Sequence, residues 1–325
     1  MPHKTVVKAE LHLHLEGSIS PEIALVLAEK NGITFPHTRL TDDGYYHWVD
    51  FLDFLQAYDD VAAVIQSGED YALITYDYLK RSAEDGVIYT ELMPSFENGM
   101  EEGLSYEDKI EGIAKGIDKA QREFNIHARI YPACVRHMGP ERALYAAQVV
   151  TQNPHSYVVG FGMGGDEGFA SQSDFAPTFK LADEAGLGTT THAGEVCGPE
   201  SVWDALKHLP VSRIGHGVRS IEDPALIETL IDRDIHLEVC PGSNIALGVY
   251  PNFDEHSFNA LRAAGVSLSI SSDDPPHFST SIAREYEIAH THFAVDEAGL
   301  KTLTRAAIKA AFCDSALKAK LLAKI

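Results

Sequence analysis

Basic residues are scarce in this chain of 325 residues. Lys and Arg together number 26 against 48 Asp and Glu, which gives a formal net charge of -22 at pH 7. A surface of this sign repels phosphate backbones and anionic lipids, so the composition argues against a nucleic-acid binder and against a membrane-surface binder. Hydrophobic residues make up 45% of the chain, which is typical of a globular protein. We therefore expect a small molecule as the partner.

Cysteines are also few, and no two of them stand in the CxxC spacing of a zinc ribbon. The four are Cys134, Cys197, Cys240 and Cys313, which predicts buried or free thiols rather than a disulfide scaffold. The first ten residues lack the apolar segment of a signal peptide. No apolar run reaches the roughly 20 residues that a membrane span requires. We predict a cytoplasmic protein that is a monomer or a small homo-oligomer.

Short β-type runs alternate with helical patterns along the chain. The predicted strands cover residues 9–15, 87–94, 128–135, 158–163, 189–192, 213–216, 236–239 and 267–271. Eight strands that alternate with helices predict a (β/α)₈ TIM-type barrel of the α/β class, which we expect to be one domain over residues 1–325. A doubly wound sheet is the competing fold. Its glycine-rich signature occurs only at Gly160, Gly162 and Gly165, where no helix begins.

The first two predicted strands are separated by a long insertion at about residues 20–80. It contains an aromatic stretch, residues 48–65, in which Phe54, Leu55 and Tyr58 fall at helical spacing. Such a stretch is typical of a core helix. Because it follows the first barrel strand, it could instead cover the barrel mouth as an apolar lid. The pattern alone leaves both interpretations open.

Histidines and aspartates lie at the carboxyl ends of predicted strands, where barrels build active sites. They are His12 and His14 on one face of the first strand, His192 in HAGE, His216 in GHG, and Asp273 and Asp274 in SDDP. Three imidazoles and one carboxylate suit a divalent ion such as Zn²⁺ and leave one position for water. The sequence therefore predicts a metal centre.

The neighbours of these residues predict acid–base chemistry. Glu195 stands three residues after His192, where a carboxyl can face the metal without binding it and can exchange protons with the substrate. Asp273 and Asp274 point in different directions from an extended segment, so one can bind metal while the other faces substrate. Gly160, Gly162, Gly164 and Gly165 indicate either a turn or a place where a planar ligand approaches the backbone closely.

At these residues the sequence resembles the adenosine/adenine deaminase family, a metal-dependent branch of the amidohydrolase-like barrels. The motifs AELHLHLEGSI, GGDE, HAGE, RIGHG, EVCPGSN and SSDDP follow one another in the family's order. The resemblance implies hydrolytic deamination, in which a zinc-activated water attacks C6 of a 6-aminopurine and ammonia leaves. It implies that one zinc ion is bound by His12, His14, His192 and Asp273. Cytidine-type deaminases are set aside, because no PCxxC follows either HxE of this chain.

The resemblance also implies a role for each remaining site residue. Glu195 would protonate N1 of the purine, His216 would orient the nucleophile, and Asp274 would contact N7 and the attacking water. The backbone of Gly165 would meet N3. The residues expected to contact or enclose the substrate are His14, Glu16, Gly165, Asp274, Phe54, Leu55 and Tyr58.

One position departs from the motif of many adenosine deaminases, which read HLDG where this chain reads HLEG. Glu16 is one methylene longer than the Asp that contacts the ribose, so it could reach the ribose, crowd it, or favour a free base. The segments GGDE and STSIAREYE look more like the adenosine type. We therefore predict adenosine and 2′-deoxyadenosine as substrates, with adenine or a modified 6-aminopurine second. AMP is disfavoured, because no Lys/Arg cluster accompanies the motifs.

A binuclear amidohydrolase of the lactonase or phosphotriesterase type is the alternative from a different enzyme class. Such enzymes usually carry a bridging Lys or Glu at the end of a middle strand. This chain has Gly164 and Gly165 at that place, which favours a single metal ion.

Overall fold

Parallel strands form the centre of the computed structural model, which describes residues 2–100 and 103–325. The strands are β1 (Lys8–Glu10), β2 (Val87–Leu92), β3 (His127–Ile130), β4 (Ala133–Val135), β5 (Gly160–Gly164), β6 (Gly188–Ala193), β7 (Arg213–His216), β8 (His236–Val239) and β9 (Ser267–Ile270). Most of their residues are buried, as expected for a parallel sheet covered on both faces.

Helices alternate with these strands and surround them. They are α1 (Pro2–Thr5), α2 (Pro21–Asn31), α3 (Phe51–Ala62), α4 (Gly68–Glu84), α5 (Tyr106–Phe124), α6 (Pro140–Gln152), α7 (Ala176–Glu184), α8 (Pro199–His208), α9 (Pro224–Asp232), α10 (Pro241–Ala246), α11 (Phe258–Ala264), α12 (Ile282–Thr291), α13 (Glu297–Ala310) and α14 (Ser315–Leu322). Several begin at a side-chain cap, as where Ser105 Oγ accepts a hydrogen bond from the backbone N–H of Asp108.

The strands close into a barrel, which confirms the predicted (β/α)₈ fold. A three-stranded sheet in the order β1-β2-β3 and a six-stranded sheet from β4 to β9 are parallel throughout. Single bridges join the two sheets, one between Ser95 and Ala133 and one between Leu13 and Asp273. β3 and β4 are the two halves of the predicted third strand. Pro132 separates them, since it has no N–H to donate to the ladder.

The first predicted strand, residues 9–15, is longer than the strand that forms. Regular pairing ends at Glu10 because the backbone N–H groups of Leu11 and His12 donate to Ser271 Oγ instead of to a neighbouring strand. His14 then makes an isolated bridge with Met93. This irregular backbone carries the first two histidines of the predicted metal centre.

The insertion after β1 contains α2, α3 and α4. Helix α3 begins where Asp50 accepts a hydrogen bond from the N–H of Asp53. Its Phe54 is buried, with the ring 5.0 Å from that of Phe278, whereas Leu52 on the outer face is 75% exposed. Opening of α3 as a lid stays a prediction.

Two further expectations concern the thiols and membrane association. All four cysteines are free, as predicted, and Cys134, Cys240 and Cys313 are buried. Over the described residues, no helix is long and apolar enough to cross a membrane.

Glu285 on α12 provides a pH-dependent contribution to stability. Its buried carboxylate accepts hydrogen bonds from Thr280 Oγ1 at 2.5 Å and from the N–H of Gly242 at 3.0 Å, and burial raises its pKa to about 7. Because this pKa is higher in the folded chain than in the unfolded chain, the carboxyl favours folding less as pH rises from about 4.5 to 7. The Glu285→Gln variant should lack this pH-dependent contribution to the free energy of unfolding. Its free energy of unfolding relative to wild type should rise between pH 5 and pH 8, measured by urea denaturation at each pH; a constant difference would contradict the assignment.

Candidate active site

The four predicted metal ligands converge at the carboxyl end of the barrel. One ligand atom from each of His12, His14, His192 and Asp273 lies within 4.8 Å of the other three. His192 Nε2 is 3.1 Å from His12 Nε2 and 3.2 Å from His14 Nε2. Asp273 Oδ1 is 3.5 Å from His12 Nε2 and 3.4 Å from His14 Nε2. The side chains come from the segment after β1, the end of β6 and the segment after β9.

Strained backbone places two of the site residues. His216 and Asp273 adopt positive φ values of 59° and 65°, which non-glycine residues rarely do. Around Asp273, its N–H donates to His12 O at 3.3 Å and its carbonyl accepts from the N–H of His14 at 3.1 Å. These hydrogen bonds hold Asp273 in a strained backbone conformation. Strained conformations of this kind are common at functional sites.

The donor set fits a bound cation. His192 Nδ1 lies 2.8 Å from Met163 O, so this nitrogen carries the proton and Nε2 directs a lone pair at His12 and His14. Burial lowers the pKa of His14 to about 3 and that of His192 to about 4, which keeps both imidazoles neutral. Asp273 Oδ1 is buried without a hydrogen-bond donor. The neutral imidazoles of His14 and His192 and the carboxylate that faces them are ligands of the kind found in a zinc-type site.

A buried chain of charges supports His12. Glu238 Oε2 lies 2.7 Å from His12 Nδ1, so His12 donates its proton there and keeps Nε2 free for a ligand role. Arg213 Nε is 2.6 Å from the other oxygen of Glu238, and its Nη1 is 2.6 Å from Glu91. The fully buried arginine holds the pKa of Glu238 down at about 2, against the opposing effect of burial.

Glu238→Gln tests this support. The amide cannot provide the full charge that orients His12, so we expect metal affinity to fall by about 10- to 100-fold. Competition with a chromophoric chelator measures that affinity. The matched variant is Glu222→Gln, which changes an exposed carboxylate paired with Arg219 and should bind metal as wild type does. Unchanged affinity in Glu238→Gln would show that the hydrogen bond to His12 is dispensable.

Glu195 and His216 lie beside the ligand group. Glu195 Oε2 is 3.6 Å from His216 Nε2, and Glu195 Oε1 is buried without a hydrogen-bond donor. Burial, reinforced by the charge of Asp273, raises the pKa of Glu195 well above its usual range. Asn244 Nδ2 lies 3.4 Å from His216 Nδ1. The carboxyl of Glu195 can therefore hold a proton near neutral pH and deliver it.

The loop of Glu195 is held by Glu167. This buried carboxylate accepts from the N–H groups of Gly194, Val196 and Cys197 at 2.5, 2.7 and 2.8 Å. Sequence reasoning treated GGDE only as a family motif and missed this role. An acidic residue in a glycine-rich turn offered no indication of a partner 27 residues away.

Asp274 and the glycines complete the base of the site. Burial, then the neighbouring Asp273 carboxylate, raises the pKa of Asp274 well above its usual range, and its Oδ1 has no hydrogen-bond donor. A Cβ at Gly17 would lie 1.6 Å from that oxygen, and one at Gly164 would lie 3.2 Å from the rings of His14 and His192. Gly165 has a φ of +100°. The glycines thus allow close approach of the backbone to the site.

A cavity of about 750 Å³ opens from these groups. Its lining includes the predicted contact residues His14, Gly165, Asp274, Phe54, Leu55 and Tyr58, and also Glu195, His192, His216 and Asp273. The volume lies within the range of small-molecule sites. The structure thus brings together nearly all the residues that the sequence singled out.

Among the predicted contact residues Glu16 is the exception, since the cavity lining formed by the described residues does not include it. Its side chain is fully buried and its carboxylate accepts from Tyr71 OH at 2.6 Å and from the N–H of Ser95 at 3.1 Å. Tyr58 OH lies 3.4 Å away. The Glu16 carboxylate thus makes hydrogen bonds within the cavity wall, whereas the sequence suggested a contact with substrate.

Comparison with known proteins places the chain in a family. Residues 7–325 match the family model described as adenosine deaminase. An adenine deaminase of Agrobacterium fabrum is 48% identical over 98% of both chains. The solved adenine deaminase of Arthrobacter aurescens is 30% identical, with a TM-score of 0.89 over 98% of this chain and 97% of that one. A zinc-bound amidohydrolase from Burkholderia ambifaria is 25% identical, with a TM-score of 0.90 over 99% and 90% of the two chains.

These relatives overturn the prediction of adenosine and 2′-deoxyadenosine as substrates. The full-length relatives that are 42–48% identical are named adenine deaminases, as is the Arthrobacter structure. The comparisons confirm the prediction of a hydrolytic deaminase and of a small-molecule purine as the partner. The chain belongs to the adenosine deaminase family of hydrolytic deaminases, which act on C–N bonds.

Proposed function

We propose that this protein deaminates adenine hydrolytically to hypoxanthine and ammonia, with one zinc ion bound per chain. The observation that carries the proposal is the pair of buried carboxyl groups, Glu195 and Asp274, beside a convergent set of metal ligands at the base of a cavity. The free base as substrate is supported by the relatives named adenine deaminases.

His12, His14, His192 and Asp273 would hold the metal. When bound, zinc makes water nucleophilic near neutral pH and stabilises negative charge on its oxygen. The hydrogen bond to Glu238, which is itself paired with Arg213, would keep His12 oriented with Nε2 free to bind the ion. The zinc-bound amidohydrolase of similar fold supports zinc as the metal.

The protein's acids move the protons of the reaction. Glu195, protonated in the free site, donates to N1 of adenine and makes C6 electrophilic. Water adds at C6 and gives one proton to the carboxylate of Glu195, which passes it to the departing amino group. Ammonia leaves, and the remaining hydroxyl proton returns to Glu195 as the C6 carbonyl of hypoxanthine forms. His216, whose ring is 3.6 Å from Glu195 and 3.9 Å from Asp273, steers the attacking water. Asp274 in its protonated form donates a hydrogen bond to N7.

Lid residues would exclude water during these steps. Phe54, Leu55 and Tyr58 on α3 line the cavity and would enclose the purine ring. An apolar enclosure strengthens the electrostatic interactions between substrate and acids. Glu16 is fully buried outside the cavity lining and is bound by Tyr71 OH and the N–H of Ser95, so it does not present its carboxylate to a ribose hydroxyl, which supports the free base.

Ultraviolet spectroscopy tests the proposal. Zinc-loaded protein is mixed with adenine or adenosine at equal concentrations, and conversion to the 6-oxopurine is followed together with ammonia release. We expect rapid turnover of adenine and turnover of adenosine at least about 100-fold slower, the range set by a site that rejects one substituent. Absence of hypoxanthine formation from adenine would contradict the proposed function.

A further inference from the structure

Glu97 is a carboxyl of the cavity wall that the proposed mechanism does not use. It follows β2, lines the cavity and is 8% exposed. Its Oε2 accepts from the N–H of Val135 at 3.2 Å, and its Oε1 has no hydrogen-bond donor. A buried carboxyl oxygen without a donor is costly unless a ligand satisfies it. The missing donor therefore points to the substrate.

The position of Glu97 relates it to the metal ligands through two strands. Val135, which Glu97 binds, pairs in register with Gly164 at the end of β5. A Cβ at Gly164 would lie 3.2 Å from both His14 and His192. The next residue, Gly165, is the one that the family resemblance assigns to N3 of the purine. N3 and N9 are both bonded to C4 of the purine, so Glu97 stands on the side of the cavity where N9 would lie.

We propose that Glu97 accepts a hydrogen bond from N9–H of adenine and so selects the free base over nucleosides. This inference rests on the proposed function and on the purine orientation given there. In a nucleoside N9 carries the sugar, so no proton is present and a bulky group meets a buried carboxylate. A site built to bind an N–H group discriminates strongly against a ligand that lacks it.

The surroundings of Glu97 allow this role. Burial raises its pKa to about 7, while the charges of Arg142 and Lys109 oppose that rise, so the carboxylate form is available near neutral pH. Lys109 Nζ is anchored by the carbonyls of Ser95, Phe96 and Asn98 at 2.7, 3.0 and 2.6 Å. These contacts hold the segment of Glu97 rigid. An acceptor that is fixed before binding loses little entropy when the ligand arrives.

Ligand binding to a catalytically inactive variant tests the inference without turnover. Calorimetry would compare adenine with 9-methyladenine on zinc-loaded Glu195→Gln protein and on the double variant Glu97→Gln/Glu195→Gln. We expect the first protein to bind adenine about 10- to 100-fold more tightly than 9-methyladenine, the range of a hydrogen bond to a charged group. In the double variant adenine should lose that advantage, while the affinity for 9-methyladenine changes by less than about threefold.

The matched control is Glu285→Gln on the same background. Glu285 is another buried carboxyl whose pKa is raised to about 7, but it lies outside the cavity lining and both of its oxygens accept hydrogen bonds. This control should retain the preference for adenine. Equal affinities for the two ligands on the protein with Glu97 unchanged would already overturn the inference, so misfolding of the double variant does not leave it untested.

Each outcome separates the inference from the proposed function. Equal affinities for the two ligands, no binding of adenine, or a preference that survives Glu97→Gln would overturn the role of Glu97. The last result would mean that steric exclusion alone rejects N9 substituents. Failure of wild-type protein to deaminate adenine would instead overturn the proposed function, whatever the affinities show.

Discussion

Replacement of Glu195 by Gln is expected to lower kcat for adenine by about 10²- to 10⁴-fold, the contribution of a positioned acid–base group. The amide has nearly the same shape, but it cannot donate a proton to N1 or carry one to the leaving amino group. His216 Nε2 lies 3.6 Å from Glu195 Oε2, but burial lowers the pKa of His216 well below its usual range, so His216 does not replace Glu195 as the proton donor to N1. Steady-state ultraviolet kinetics measures the loss.

The control for this variant is its metal content and ligand affinity. Glu195 is not among the four converging ligands, so metal analysis should find wild-type zinc and calorimetry should find adenine binding retained. A variant that keeps its rate within about threefold of wild type would contradict the assignment of Glu195 as the acid–base group. A variant that loses zinc would show that Glu195 acts through the metal.

Arg213→Met is expected to destabilise the fold by about 3–5 kcal/mol, because it leaves two buried carboxylates without their cation. Arg213 is fully buried between Glu91 and Glu238, and each ion pair measures 2.6 Å. Methionine fills much of the volume, so packing contributes less to the loss than charge does. Urea denaturation at pH 7 measures the free energy of unfolding.

Arg219→Met is the matched substitution at the surface. Arg219 pairs with Glu222 at 2.8 Å, but both side chains are about one-third exposed or more, and such pairs contribute about 0–1 kcal/mol. We therefore expect a change in unfolding free energy at least threefold smaller than for Arg213→Met. Equal effects would mean that the buried chain of charges is not a stabilising network.

The predictable part of the site is the part that lies at strand ends. Parallel strands in a barrel end at one rim, so His192 and His216 could be placed near His12 without coordinates. The two-residue spacing of His12 and His14 indicated a shared face, even though regular pairing stops at Glu10 and the backbone there bonds to Ser271. The barrel fold alone is enough to bring these histidines together.

The supporting residues could not be predicted because their partners are remote in sequence. Glu238 meets His12 across 226 positions and Arg213 meets Glu91 across 122. In the sequence Glu238 and Arg213 are charged residues within predicted strands. Charged side chains are rarely fully buried, so the sequence gives no reason to expect them inside the barrel. Only the barrel interior brings the charges into mutual contact.

The substrate was the largest error, because the adenosine-like segments GGDE and STSIAREYE outweighed Glu16, which left ribose and free base both open. The motif suggested that this carboxylate faces the cavity, where one methylene decides between ribose and free base. Tyr71 and the N–H of Ser95 instead occupy its oxygens in the cavity wall. Tyr71 lies in α4, and nothing in its sequence context indicates that partnership.

Titration of metal-free protein with Zn²⁺ during adenine deamination tests the central claim most directly. A single site built from His12, His14, His192 and Asp273 predicts that the rate rises linearly from near zero and reaches a plateau at one equivalent of zinc per chain. Hypoxanthine and ammonia should form in equal amounts. A plateau at two equivalents would indicate a binuclear centre, and no deamination of adenine at any zinc content would contradict the account.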